Sequence, residues 1–131
     1  MLITRFMRWF FHGLYHPLAF SYDWVAAAVS LGHWNDWGRM VLPYLHGGRV
    51  LELGHGPGWL QGPLRELGFQ ASGLDESAQM SRLAARRLRH GGQAQLNLVR
   101  GRTQALPFAA GSFDSLVSTF PSEYIFEEAT L

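Results

Sequence analysis

The chain has 131 residues, 47% of them hydrophobic, a formal net charge of +1 and no cysteine. That is enough apolar material for one folded core and too much for a disordered chain, although the length is small for an α/β nucleotide-binding domain. Disulfides, thiolate metal sites and a cysteine nucleophile are excluded, the near-neutral charge makes no general case for a nucleic-acid partner, and the expected setting is cytoplasmic. Every basic residue is arginine, which we attribute to composition, since arginine alone is no sign of thermal adaptation.

The first segment is dense in large apolar side chains. Leu2, Ile3, Phe6, Met7, Trp9, Phe10, Phe11, Leu14 and Tyr15 surround a helix broken only by Arg5, Arg8 and His12. Charges interrupt the run, and Pro17 and Asp23 follow it, so neither a membrane span nor a secretory signal fits. Two readings remain: a helical cap packed on the rest of the chain, which we prefer, and an interfacial segment with aromatics and arginines at a lipid surface. Ser21 starts a second helix through Leu31, and Asn35 or Asp36 a third ending near Leu45. Residues 1–46 thus form a helical segment ahead of a domain spanning residues 47–131.

From Arg49 the pattern alternates. Arg49–Leu53 is a short apolar strand ending at glycines. Gly58–Leu67 follows as a helix, with Pro63 tolerable near its start and Gly68 as its C′ residue. Phe69–Leu74 is a second strand. Ser77 caps the next helix, where Met80, Leu83, Ala84 and Leu88 make an apolar stripe at helical spacing. Arg82, Arg86, Arg87 and Arg89 fill the other side; we expect a solvated face, the alternative being contact with an anionic surface. Gly91-Gly92 end that helix, Gln95–Val99 is a third strand, and Ser115–Phe120 a fourth. Strands alternating with helices imply an α/β fold with a parallel sheet and right-handed crossovers.

The chemistry centres on Glu52-Leu53-Gly54-His55-Gly56-Pro57-Gly58 and, farther on, Gly73-Leu74-Asp75. A strand enters a turn of alternating glycines, and the next strand ends on a carboxylate placed to accept from ribose hydroxyls. The dinucleotide fingerprint G-x-G-x-x-G fails, because its third glycine falls on Trp59 or Gln61. An acid two residues before the first glycine would repel a pyrophosphate but suits a cationic ligand bearing an amino group.

These motifs resemble the class I S-adenosylmethionine (SAM) methyltransferases. Glu52 through Gly58 is similar to that family's E-x-G-x-G-x-G, Gly73 through Met80 to its G-x-D-x-S-x-x-M, and Gly101 through Phe108 with Gly111 through Asp114 to its G-D-A-x-x-L-P-F and S-F-D segments. Tyr22-Asp23, Ser30-Leu31-Gly32, Trp34 and Trp37 resemble the lead-in of the quinone-precursor branch. The resemblance runs from Tyr22 to about Phe120. It implies SAM as cofactor, a Rossmann-like sheet of order 3-2-1-4, and a small, lipophilic methyl acceptor met near a membrane surface. The cofactor-binding set it implies is Glu52, Gly54, His55, Gly56, Gly58, Asp75, Glu76, Met80, Arg102 and Thr103. One departure stands out: Arg102 occupies the place of the aspartate that contacts the adenine amine, and arginine cannot accept that hydrogen bond.

Methyl transfer needs positioning more than acid–base chemistry, and no catalytic residue emerges. His55 is expected to be a solvent-facing member of the glycine turn. His12, His16, His33, His46 and His90 show no ligand spacing with acids, so no metal site is expected. By the resemblance, His33 and Tyr22 approach the pocket, and Glu123 and Tyr124 are either substrate contacts or structural.

The resemblance also implies seven strands, in order 3-2-1-4-5-7-6, whereas the chain stops after the fourth. It is then a piece of a longer protein or one completed by a second copy, because the fourth strand would be an open edge. A homodimer through that edge is expected, with a fold-over of the N-terminal helices as the competing outcome. Two other functions stay in view: a SAM-binding or assembly module without catalysis, and a nucleotide-dependent oxidoreductase, which the failed third glycine disfavours.

Overall fold

The computed structural model describes Arg5 and residues 32–119. The helices expected in residues 1–31, the end of the fourth strand at Phe120, and Glu123 and Tyr124 lie outside the described residues, as does Tyr22.

A helix α1 (Trp34–Arg39) leads through a 3-10 turn at Leu42–Tyr44 into the sheet domain. The single helix expected from Asn35 or Asp36 to Leu45 is therefore two pieces, with Pro43 in the second. Strands β1 (Arg49–Leu53), β2 (Gln70–Asp75), β3 (Leu98–Arg100) and β4 (Ser115–Val117) alternate with helices α2 (Gln61–Glu66) and α3 (Ala78–His90). All pairings are parallel and the order is β3-β2-β1-β4, as expected.

Side chains alternate across β1 and build a core on each face. Val50 joins Leu60, Leu64, Ala71 and Val117 on the face that α2 covers. Leu51 and Leu53 join Leu74 on the other, against Val99, Phe108 and Phe113. Burial on both faces is why β1 carries consecutive apolar residues at Val50 and Leu51, with Leu53 after Glu52. Glu52, of the same parity as Val50, faces α2, and its register partners are Gly73 and Val117. Val41, Leu42 and Leu45 pack on the first cluster, so the segment entering the domain covers the sheet.

Boundaries moved where backbone geometry overrode pattern. Helix α2 begins at Gln61 instead of Gly58, because Gly58 has φ +85° and belongs to the turn. At its other end Gly68 N–H donates to Arg65 O and Phe69 N–H to Leu64 O, both at 3.0 Å, which is a Schellman stop. The third strand loses Gln95–Asn97: Asn97 has φ +49°, and the Arg65 guanidinium binds the carbonyls of Gln95 and Leu96 in place of a ladder partner. Ser77 caps α3 as expected, its Oγ accepting from Met80 N–H.

At the strands' N-terminal ends Asp114 ties β4 to β1. Its Oδ2 accepts from the N–H groups of Gly48 (3.1 Å) and Arg49 (2.9 Å), and Oδ1 pairs with Arg49 Nη2 at 2.8 Å. No helix among the described residues is long and apolar enough to cross a membrane.

Candidate functional site

The opposite, C-terminal ends of β1 and β2 carry the sequence's candidate residues. Leu74 O accepts from the N–H groups of both Gly54 (2.8 Å) and His55 (3.3 Å), so the ladder holds the chain up to the turn. Gly56 then adopts φ +54° and Gly58 φ +85°. At Gly58 the reason is packing, since a Cβ there would lie 2.8 Å from the Cβ of Ala84 on α3. At Gly56 packing gives no reason: the residue is buried, yet an added Cβ would meet nothing within 4 Å. A buried backbone facing open space is what a closely approaching ligand needs.

Asp75 joins the two strand ends. Its Oδ2 accepts from Gly56 N–H at 2.9 Å and its Oδ1 from Ser77 N–H at 2.8 Å. Two of the roughly four acceptor positions of a carboxylate are thus used, and the others are free for a hydroxylated ligand. The carboxylate shapes the glycine turn as well as terminating β2.

Beneath the turn lies a polar layer. Glu52 is 2% exposed and accepts from Gln61 Nε2 at 2.7 Å. Burial, with the nearby negative charge of Asp75 adding to it, pushes its carboxyl up to about 8; the Gln61 bond opposes this. Gln61 also reaches Ser72 O at 3.3 Å, and its Oε1 faces Arg65 Nη2 at 3.4 Å.

His55 corrects the expectation of a solvent-facing loop residue: it is only 4% exposed. The two positive-φ glycines around it fold the ring inward, where its Cδ2 and Gln61 Nε2 converge over Gly73. Its Nδ1 lies 2.7 Å from Gly56 O; a carbonyl only accepts, so Nδ1 carries the hydrogen. Burial lowers the ring's pKa, leaving Nε2 an unprotonated acceptor with no partner among the described residues.

The remaining candidates are spread out. Met80 is fully buried in the α3 stripe. Glu76 and Arg102 approach at 4.0 Å with side chains 74% and 63% exposed, a pair that solvent screens heavily. Thr103 opens a 3-10 turn beside Arg102. His33, at the start of α1, has Nδ1 3.3 Å from Asp36 Oδ2 on the surface. Arg87 is not merely solvated: it stacks 3.6 Å over the Trp59 ring and donates to Pro57 O, pinning the far side of the glycine turn to α3. Among the described residues no cluster of three or more histidines and acids could hold a metal ion. Sequence reasoning missed Gln61, a lone polar residue at a helix start with no motif to mark it, and Arg87 as a loop anchor.

A parallel sheet of order 3-2-1-4, a glycine turn after β1 and a carboxylate ending β2 define the Rossmann-like fold of the class I methyltransferases. The chain belongs to the methyltransferase domain family, whose model matches residues 50–130. It is 29% identical over 110 residues to the demethylmenaquinone methyltransferase of Renibacterium salmoninarum, covering 82% of this chain and 44% of that protein. The chain spans less than half the length of the curated relatives it matches. Among solved structures it shares its fold with a SAM-dependent methyltransferase structure from Methanococcus maripaludis (TM-score 0.69, 19% identity, 88% of this chain and 58% of that one). It is also similar to Haemonchus contortus phosphoethanolamine N-methyltransferase 2, solved with SAM (TM-score 0.61, 26% identity, 77% and 25%).

Proposed function

We propose that the protein is a SAM-dependent methyltransferase acting on a small lipophilic acceptor. The observation that carries this is the Asp75 clasp: a carboxylate ending β2 binds the N–H of Gly56, whose would-be Cβ faces open space. That geometry fits a nucleoside with its ribose at Asp75 and its amino-acid end over Gly54, Gly56 and Gly58, above Glu52 and His55. Glu76, Arg102 and Thr103 lie beyond Asp75, on the side left for adenine.

Bound there, SAM supplies an electrophilic methyl group. The chain's own contribution is to orient the ligand through Asp75 and the glycine backbone and to keep water from its buried end. No general base is assigned.

Calorimetric titration with S-adenosylhomocysteine and, in parallel, with NAD tests the reading. Binding of the first and not the second supports it, whereas the reverse would favour an oxidoreductase. Turnover then separates an enzyme from a SAM-binding module without catalysis.

Several finer features belong to the same proposal. The lipophilic acceptor is supported by the relatives named for demethylmenaquinone. A cytoplasmic protein touching the membrane periphery is supported by α3, which has exposed Arg82, Arg86 and Arg89 and no acidic residue; flotation with anionic liposomes is its test. A homodimer through β4 is supported by the position of that strand at the edge of the sheet among the described residues and by Leu116, 58% exposed, and light scattering over a concentration series tests it. The division near residue 46 is part of this reading too, although Ser115 Oγ binds both the N–H and the carbonyl of His46 across it.

A further inference from the structure

Glu52 stands where a charged carboxylate is hard to keep. It is almost wholly buried, and Gln61 Nε2 supplies the hydrogen bond to its Oε2. Among the described residues, the groups around it give no compensating cation. Asp75 on β2 is negative, and His55 in the turn is neutral with its Nε2 unprotonated. Val117 on β4 is apolar, and Gln61 on α2 is a neutral amide. The guanidinium of Arg65 lies on the far side of that amide, against Gln61 Oε1 and the carbonyls of Ala71, Gln95 and Leu96. An empty site in this arrangement favours the uncharged acid. A cation arriving above the turn reverses the balance, because it supplies the missing partner.

We propose that Glu52 is neutral in the ligand-free protein and is ionised by the ammonium group of the ligand's amino-acid end, so that binding releases a proton, with Gln61 as the residue that positions the carboxyl for the exchange. This rests on the SAM reading of the site. The step balances simply: the carboxyl O–H bond breaks, its electron pair stays on the carboxylate facing the ammonium, and the proton leaves to solvent. It also makes Glu52 a specificity determinant. A ligand with the same nucleoside but no ammonium gains nothing from the ionised form, so the advantage of the ammonium-bearing ligand shrinks as pH falls.

The test is calorimetry of S-adenosylhomocysteine binding at about pH 6.5 in two buffers of different ionisation enthalpy, with 5′-methylthioadenosine as the ligand lacking the ammonium. The expected result is close to one proton released per S-adenosylhomocysteine, none with methylthioadenosine, and an affinity for the former that rises up to about tenfold per pH unit below pH 8. Glu52→Gln abolishes the release, and Gln61→Met keeps it while moving its midpoint to higher pH, since the amide steadies the ionised form. Binding of S-adenosylhomocysteine without proton release, or release that survives in Glu52→Gln, overturns the proposal and leaves the SAM assignment standing. No binding at any pH, with NAD or no nucleotide bound instead, overturns both.

Discussion

The two ends of one sheet handle polar groups in opposite ways. At the N-terminal end Asp114 and Arg49 are exposed, and the Asp114 carboxylate is saturated by two backbone N–H groups and the guanidinium, which hold it well below the usual carboxylate range. At the C-terminal end Glu52 and His55 are buried, and His55 Nε2 has no hydrogen-bond partner among the described residues. Folding alone explains the first arrangement. The second costs stability, and a fold tolerates that where a ligand completes the site.

The largest effect that can break this contrast lies at Glu52. Its folded pKa is raised from 4.5 to about 8, so between those values the unfolded chain loses its proton while the folded one keeps it. Stability therefore falls as pH rises through that window and levels off above it, by an amount on the order of 3–5 kcal/mol. Glu52→Gln keeps an acceptor for Gln61 and removes the slope. Denaturant melts of both proteins from pH 5 to 9 check this; parallel curves would show Glu52 to be ionised like any surface acid.

Next in size is Asp75→Ala. It strands the N–H groups of Gly56 and Ser77 and removes the acceptor offered to ribose. A charged hydrogen bond of this kind is worth about 1.5–3 kcal/mol, so S-adenosylhomocysteine affinity should drop by roughly one to two orders of magnitude. Equal affinities would take Asp75 out of the site.

Gly58→Ala probes the turn through packing. The new methyl meets Ala84 on α3 at a φ that side chains avoid, and overpacking of this kind costs about 1–3 kcal/mol. Gly56→Ala is the control, with strain but no clash; it should leave the fold closer to wild type and weaken ligand binding more. A thermal melt and a titration on each variant separate the two roles.

The smallest effect belongs to the saturated end. Asp114→Asn removes charge from an exposed clamp while keeping an acceptor, so the loss should be slight at neutral pH and low salt and smaller still at high salt. Because the Asp114 pKa is depressed, its contribution is present above the ordinary carboxylate range and is lost as pH falls below it. The variant's acid-unfolding curve should accordingly be flatter than that of the wild type. An equally steep curve would place the acid sensitivity elsewhere.

The amino-acid sequence determined β1 to the residue, the cap at Ser77 and the stops at Gly68 and Gly91-Gly92, whereas the order of the sheet came from the family resemblance. The strand, cap and stops depend on local chemistry: apolar runs, hydroxyl caps and glycines that relieve strain act within a few residues of one another. It also marked Glu52, the glycines and Asp75, because a ligand turn needs those residue types in that spacing. The inward turn of His55, the Gln61–Glu52 bond, the Arg65 hold on Gln95 and Leu96 and the packing of Arg87 on Trp59 were settled only by tertiary structure. Each joins separate elements or depends on how positive-φ glycines redirect the chain, and burial, which sets the protonation of Glu52, exists only once α2 has closed over the sheet.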